Sequence, residues 1–177
     1  MKEEILVEQL KKGSRAAFDA LYEKYRDQAV RTAYLITGNL ADSEDIVQDT
    51  FVKIYLHSNK LQNNSGFKAW MMRILVRTAW RASKKKKREF PDEEAVCGME
   101  DRTEPSSLDK VMQHEDAKRL SAVVRSLPAK QRTVVVLYYY NGLNVGEIAG
   151  TLGIMEGTVK SRLHTARKNM KKALEEP

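Results

Sequence analysis

Residues 144–163, NVGEIAGTLGIMEGTVKSRL, encode two short amphipathic segments separated by a glycine, and this stretch decides the fold of the C-terminal third. In the first segment the apolar residues recur at helical spacing, and Asn144 with Glu147 three residues later is the signature of a capping box. Gly153 supplies the turn, and a second apolar repeat starts soon after it. The stretch therefore predicts a helix-turn-helix.

The second helix of this motif separates its apolar and its polar residues. At 100° per residue the predicted buried stripe consists of Val159, Leu163, Ala166, Met170 and Leu174, and residues 156–172 carry six Lys or Arg against one Glu. Short polar side chains can approach base edges in a major groove while flanking cations neutralise phosphates. The alternative is a solvated basic helix, but such a helix needs no partner helix at this fixed offset. The candidate contacts to duplex DNA are Gly157, Thr158, Lys160, Ser161, Arg162, His164, Thr165, Arg167 and Lys168.

Composition narrows the class of protein further. The chain has 177 residues, of which 42% are hydrophobic and 31% charged, and it contains no apolar run long enough to cross a bilayer. Its N-terminus lacks the order of a secretory signal, so we expect a cytoplasmic protein without membrane insertion. The lone cysteine, Cys97, and three scattered histidines form no recognisable metal-ligand set. We expect no metal, no cofactor and no enzymatic activity.

Charge is distributed unevenly along the chain. Residues 65–88 contain nine basic residues and no acid, whereas residues 89–116 contain ten acids and two bases, a net charge of −8. The acidic stretch also has prolines and little apolar periodicity, which predicts a linker at 89–107 between domains at 1–88 and 108–177. Its acids either keep a flexible segment soluble or shield basic surfaces when DNA is absent.

The N-terminal domain is predicted to be wholly helical. A first helix covers about Glu3 to Lys11 and ends at Gly13, and Ser14 caps a second helix that Gly38 ends. Its predicted buried stripe consists of Phe18, Leu21, Tyr22, Tyr25, Ala29, Val30 and Ala33.

A third helix is predicted to start at Asp42. Its apolar side carries Ile46, Val47, Thr50, Phe51, Ile54 and Tyr55. The other side groups Asp45, Gln48, Asp49, Val52 and Lys53. This side is either a solvated face or, with two carboxylates beside a glutamine, a docking surface for a basic partner.

A fourth helix is predicted over about Phe67 to Lys87. Trp80 lies beside a ridge of cations, and such a surface suits a nucleic-acid strand because neutralisation supplies affinity and stacking holds unpaired bases. The alternative for Trp80 is packing within its own domain, since a tryptophan buries much area. The predicted inward residues are Phe67, Trp70, Met71, Ile74, Leu75 and Thr78. The ridge consists of Arg73, Arg77, Arg81, Lys84 and Arg88.

Four stretches, in this order, resemble the extracytoplasmic-function sigma factors of bacteria, and the resemblance spans nearly the whole chain. They are DIVQDTF at 45–51, FKAWMMRI at 67–74, Leu127-Pro128, and EGTVKSRL at 156–163. The resemblance implies a sigma 2 domain at 1–88 that binds the clamp helices of RNA polymerase and melts the −10 element. It also implies a sigma 4 domain at 108–177 that binds the −35 element. The implied partners are core RNA polymerase, promoter DNA and an anti-sigma factor.

The same resemblance assigns roles to particular residues. It implies that Asp45, Gln48 and Asp49 engage the polymerase, and that the helix with Arg73, Arg77, Trp80, Arg81 and Lys84 binds the −10 strand. The loop at 58–65, with Asn63 and Asn64, corresponds to the part that captures a flipped base. Lys160, Ser161, His164 and Thr165 match positions that reach −35 bases. Three residues depart from the family pattern: Arg77 replaces a typical Asn, Arg81 a typical Asp and Thr165 a frequent Arg.

Two functions of other classes fit the chain less well. A stand-alone helix-turn-helix regulator explains residues 128–177, but the N-terminal helices show neither the strand alternation nor the phosphoacceptor arrangement of a ligand or receiver domain. A nucleic-acid enzyme needs clustered carboxylates or histidines, whereas the carboxylates here lie on one helix face and in the linker.

Overall fold

The structure, a computed structural model, describes residues 2–89 and 115–175, which form eight α-helices and, within these ranges, no strand. The all-α prediction is confirmed. Nearly all of the predicted linker at 89–107, and the start of the predicted domain at 108–177, lie outside the described residues. The N-terminal helices are α1 (Glu3–Lys11), α2 (Arg15–Thr37), α3 (Leu40–His57) and α4 (Phe67–Glu89). The C-terminal helices are α5 (Glu115–Ser126), α6 (Ala129–Val135), α7 (Val145–Leu152) and α8 (Glu156–Glu175).

Local capping interactions set several helix ends. The Ser14 side chain accepts a hydrogen bond from the Ala17 backbone N–H, as expected for the N-cap of α2. Gly38 ends α2 in the left-handed region, with φ of 79°. The prediction that α3 starts at Asp42 is wrong by two residues. Asn39 is the N-cap, because its side-chain oxygen accepts from the Asp42 backbone N–H at 3.0 Å.

Helices α1 to α4 enclose an aromatic and aliphatic core. Phe18, Tyr22 and Phe51 form a cluster in which the ring of Phe51 meets the other two edge to face, with centroids 6.2 and 4.9 Å apart. The predicted stripe of α2 is confirmed, since every one of its residues is buried or half-buried in the core. The edge of the α3 stripe is wrong: Tyr55 remains 45% exposed, although its ring contacts Phe18.

Helix α4 buries a wider arc than the sequence predicts. Trp70 and Ile74 are only half-buried, whereas Met72 and Val76, which lie outside the predicted stripe, are completely enclosed. These two residues follow Ala69 at spacings of three and four, so the three share one side of the helix. The Thr151 hydroxyl of α7 donates to the Ala69 carbonyl at 3.5 Å, which places the C-terminal domain against this side.

Contacts between the domains continue along α2. Thr32 and Asn141 are both buried, and the Asn141 amide donates to the Thr32 hydroxyl at 3.1 Å. The Arg125 guanidinium lies 5.3 Å from the ring centroid of Tyr34. The described parts of the two domains therefore pack on each other rather than lying apart.

Helices α5 to α8 form the C-terminal core, and a π-helical turn lies between α6 and α7. This turn, Val136–Tyr140, follows α6 directly, and the Asn141 N–H donates to the Val136 carbonyl five residues back. Such a turn places Tyr139 and Tyr140 at the surface while Leu137 stays buried. The buried apolar residues of this domain include Leu137, Ile148, Val134, Val159 and Leu163.

Candidate nucleic-acid interface

The helix-turn-helix is formed by α7 and α8, and local hydrogen bonds fix both ends of α7. The Asn144 side chain accepts from the Glu147 backbone N–H at 2.9 Å, and the Glu147 carboxylate accepts from the Asn144 N–H at 2.8 Å. The predicted capping box is thus confirmed. Gly153 closes α7 with φ of 67°, a left-handed conformation that glycine adopts without strain.

Helix α8 presents one polar face to solvent. Val159, Leu163 and Ala166 are buried, as predicted, and Met170 is half-buried. The end of the predicted stripe is wrong, because Leu174 is 37% exposed. The side opposite them is open along more than four turns, and its short side chains give a duplex close access to the backbone of the helix. The exposed residues of this face are Gly157, Ser161, His164, Thr165, Lys168 and Lys172.

The predicted contacts on the flanks of α8 differ in their freedom to reach DNA. Lys160 is exposed, whereas Thr158 and Arg162 are half-buried. Arg167 is exposed, but its guanidinium is already held, because its Nε donates to the Tyr139 hydroxyl. The sequence did not predict this contact, since it depends on how the π-helical turn approaches α8.

A ridge of cations runs along α4. Arg73, Arg77, Arg81 and Lys84 are all exposed, and they lie on the side facing away from the wide buried arc of the helix. Trp80 joins this surface with 37% of its area exposed, which leaves part of its ring accessible for stacking. The side chain of Arg88, the last predicted member, lies outside the described residues.

The loop before α4 holds its two asparagines differently. Asn64 is tied to α1: its amide donates to the Glu8 carboxylate at 3.0 Å and its oxygen accepts from the Lys11 ammonium. The hydrogen bond from Asn64, followed by the nearby charge of Lys12, lowers the pKa of Glu8. The Asn63 oxygen accepts from the Ser65 backbone and hydroxyl, and its side chain is exposed. Asn63 is thus the better placed of the two for contact with a base.

A second surface, which we call the α3 face, combines acidic and apolar residues. Asp45, Gln48 and Asp49 are exposed together, as predicted. On the same side, Val52 is 56% and Leu56 is 63% exposed. The spacing of four, three and four from Asp45 through Asp49 and Val52 to Leu56 could have identified Leu56 from the sequence. Exposed apolar residues beside carboxylates are typical of a protein-binding surface.

The described residues contain no group of three or more His, Cys, Asp or Glu side chains that could hold a metal ion. Over the same ranges, none of the helices has the length and apolar character needed to span a membrane.

Two family matches divide the chain much as its helices do. The Sigma-70 region 2 family matches residues 21–89, and the Sigma-70, region 4 family matches residues 117–170. The ECF RNA polymerase sigma factor SigW of Bacillus subtilis is 32% identical over 95% of this chain and 94% of its own length. The ECF RNA polymerase sigma factor SigL of Mycobacterium tuberculosis is 30% identical over 91% of this chain and 90% of its own.

Solved structures agree on the fold. RpoE of Bartonella quintana, solved with the anti-sigma factor NepR, superposes with a TM-score of 0.75 at 24% identity, covering 90% of this chain and 97% of that one. CnrH, solved with the cytosolic domain of CnrY, gives a TM-score of 0.72 at 22% identity over 98% of this chain and 97% of that one.

The chain has two helical domains, one with a helix-turn-helix and the other with a cationic helix beside an exposed acidic and apolar face. With the two family matches, these domains define a sigma-70-type transcription protein. The chain belongs to the ECF RNA polymerase sigma factors, a family not known for enzymatic activity.

Proposed function

We propose that this chain binds core RNA polymerase and directs it to promoters that carry matching −35 and −10 elements. The observation that carries the proposal is the exposure of three chemically distinct faces on three helices. The α3 face suits a protein, the ridge of α4 suits a nucleic-acid strand, and the polar face of α8 suits a duplex groove. A regulator that binds duplex DNA alone uses only the last of these.

The proposed work divides between the domains at 1–88 and 108–177. In the first, Asp45, Gln48 and Asp49 dock on the polymerase, with Val52 and Leu56 adding apolar contact area. In the second, α8 binds the −35 duplex. The −10 strand is held by Asn63, Arg73, Arg77, Trp80, Arg81 and Lys84, and Asn64 supports the loop through its bonds to α1.

Control by an anti-sigma factor also belongs to this proposal. The family resemblance implies such a partner, and RpoE of Bartonella quintana was solved bound to one. Because the polymerase and the promoter lie in the cytoplasm, we place the protein there. Purification of the tagged chain from its host, followed by identification of stoichiometric partners, tests both the polymerase and the anti-sigma assignments.

Docking on the polymerase is tested most directly by reversing charge on the α3 face. The combined change Asp45→Lys and Asp49→Lys should lower affinity for core polymerase at least about tenfold, because like charges then meet across the interface. Leu56→Ala should also weaken binding without any change of charge. The measurement is titration of core polymerase with labelled protein.

The matched control is Glu23→Lys with Asp27→Lys, which makes the same change of charge on an exposed part of α2. All these positions are exposed, so helical content measured by circular dichroism should stay the same in every variant. Unchanged core affinity in the Asp45 and Asp49 variant would remove the docking assignment.

A further inference from the structure

Three consecutive tyrosines, Tyr138 to Tyr140, lie at the π-helical turn where it passes beside α8. The rings of Tyr138 and Tyr139 meet edge to face with centroids 5.0 Å apart. Tyr139 is nevertheless 56% exposed, so burial in the core does not account for its position. Its contacts instead point toward α8.

Arg167 of α8 is held by this pair of rings. Its Nε donates to the Tyr139 hydroxyl, and its guanidinium carbon lies 5.6 Å from the Tyr139 ring centroid and 6.0 Å from that of Tyr138. Both distances are within the range of cation–π attraction. A long and otherwise mobile side chain is thereby restricted by one hydrogen bond and two neighbouring rings before any ligand binds.

The position of Arg167 on α8 indicates which part of a DNA duplex its side chain would contact. Lys160, His164, Arg167 and Lys171 follow one another at spacings of four, three and four, and so form one edge of the helix. This edge borders the exposed face with Ser161. When that face enters a major groove, its edge comes next to the phosphates of one strand.

Tyr139 occupies one of the three nitrogens of the Arg167 guanidinium. Tyr139 engages Nε, which leaves the two terminal nitrogens of the fork as the pair that matches two phosphate oxygens. Holding the fork in advance lowers the entropy that is lost when the contact forms. The hydrogen bond from Arg167 Nε to the Tyr139 hydroxyl also fixes which side of the guanidinium faces outward.

We propose that Tyr139 is a positioning residue for −35 binding: with Tyr138 it holds the Arg167 guanidinium against one phosphate of the duplex backbone. The proposal rests on the proposed function of α8. It adds to the family pattern a contact that lies outside the helix-turn-helix itself.

A double-mutant cycle in the assembled holoenzyme tests this role. The variants are Tyr139→Phe, Arg167→Ala and both together, and the probe is a promoter duplex selected by the parent holoenzyme from a randomised −35 library. Arg167→Ala should weaken binding several-fold for all −35 sequences and lower the salt slope by about one, as loss of one phosphate contact requires. Tyr139→Phe should weaken binding by about twofold to threefold, and should have no further effect once Arg167 is Ala.

Two further variants separate positioning from charge and from a general structural effect. Arg167→Lys should keep the salt slope of the parent. In the Arg167→Lys background, Tyr139→Phe should no longer change the binding affinity, because an ammonium has no fork to orient. Tyr140→Phe removes the neighbouring exposed hydroxyl and should bind as the parent does. Tyr139→Phe keeps the ring, so the thermal unfolding temperature should change little.

The results distinguish failure of this inference from failure of the proposed function. If the parent holoenzyme binds its promoter but Tyr139→Phe has no effect, or its effect simply adds to that of Arg167→Ala, the positioning role is wrong. If the parent chain confers no promoter binding on core polymerase, it is the proposed function that fails.

Discussion

Ser161 and Thr165 lie one turn apart on the exposed face of α8, where they are the shortest polar side chains that a duplex would meet. A hydroxyl can both donate and accept, so it pairs with more than one base and discriminates weakly. Specificity at these two positions is therefore expected to be low. A longer side chain with fixed donors should raise it.

Thr165→Arg tests this at a single residue. The introduced guanidinium can donate to O6 and N7 of guanine, and should shift the preference toward G at one −35 position by about 1 to 3 kcal/mol. Sequencing of transcripts from a randomised −35 library measures the shift. Lys171→Ala is the contrasting variant: the exposed Lys171 is paired with Glu175 at 3.7 Å, and its loss should lower affinity evenly across sequences. A base profile identical to that of the parent in Thr165→Arg would show that this face does not contact the bases.

Helix α4 combines two roles on opposite sides. Its wide buried arc anchors it in the core, and its ridge of cations stays in solvent. Because the ridge makes no contribution to the core, its residues can be changed without unfolding the domain. The helix thus offers a direct test of strand binding.

Changing Arg73, Arg77 and Arg81 together to Ala should weaken open-complex formation and reduce its salt dependence, since fewer counterions are released when fewer phosphates are neutralised. Permanganate reactivity of promoter thymines reports the melted strand. The control is the combined change of Arg26, Lys118 and Lys130 to Ala, which removes the same charge from exposed positions on other helices. Equal thymine reactivity in the ridge variant and the parent would show that the ridge does not hold melted DNA.

The elements that the sequence predicts best are those fixed by neighbours in the chain. Three such features depend on residues within one or two turns: the capping box of α7, the glycine ends of α2 and α7, and the first two turns of the buried stripe of α8. The predicted start of α3 lies two residues too late because Asn39 and Asp42 are both good N-cap residues. Only the backbone geometry decides between them.

Features that depend on distant parts of the chain could not be predicted in this way. Met72 and Val76 are buried on the side of α4 where Ala69 contacts Thr151 of the C-terminal domain, and periodicity within one helix carries no information about such a neighbour. The same holds for Asn64, whose partners Glu8 and Lys11 are more than fifty residues away, and for the Arg167 contact with Tyr139. The candidate site was thus predicted as separate faces, without the contacts that restrict their members.

If α4 and α8 bind the −10 and −35 elements as proposed, we expect the packed domains of the molecule to separate on the promoter. At about 3.4 Å per base pair, the roughly 25 base pairs from −35 to −10 span about 85 Å. A compact protein of this size has a radius of gyration of only about 16 Å. The 25 residues from 90 to 114 can reach at most about 85 Å when fully extended, so the chain is long enough to let the domains part.

Energy transfer between two dyes measures this separation. With Cys97 replaced by Ser, dyes at Glu23→Cys on α2 and Lys118→Cys on α5 should show high transfer in the free protein and low transfer in the promoter complex. Dyes at Glu23→Cys and Glu44→Cys, both within the N-terminal domain, are the control and should not change. High transfer that persists in an active promoter complex would contradict domain separation.

Under the proposed function the chain gives core polymerase its promoter specificity, and run-off transcription measures this most directly. Purified core polymerase is supplied with a library of templates randomised at both elements, with and without the protein. We expect transcripts with defined start sites only when the protein is present, from templates that share one −35 and one −10 sequence. Absence of such transcripts, or start sites that are the same without the protein, would contradict the account.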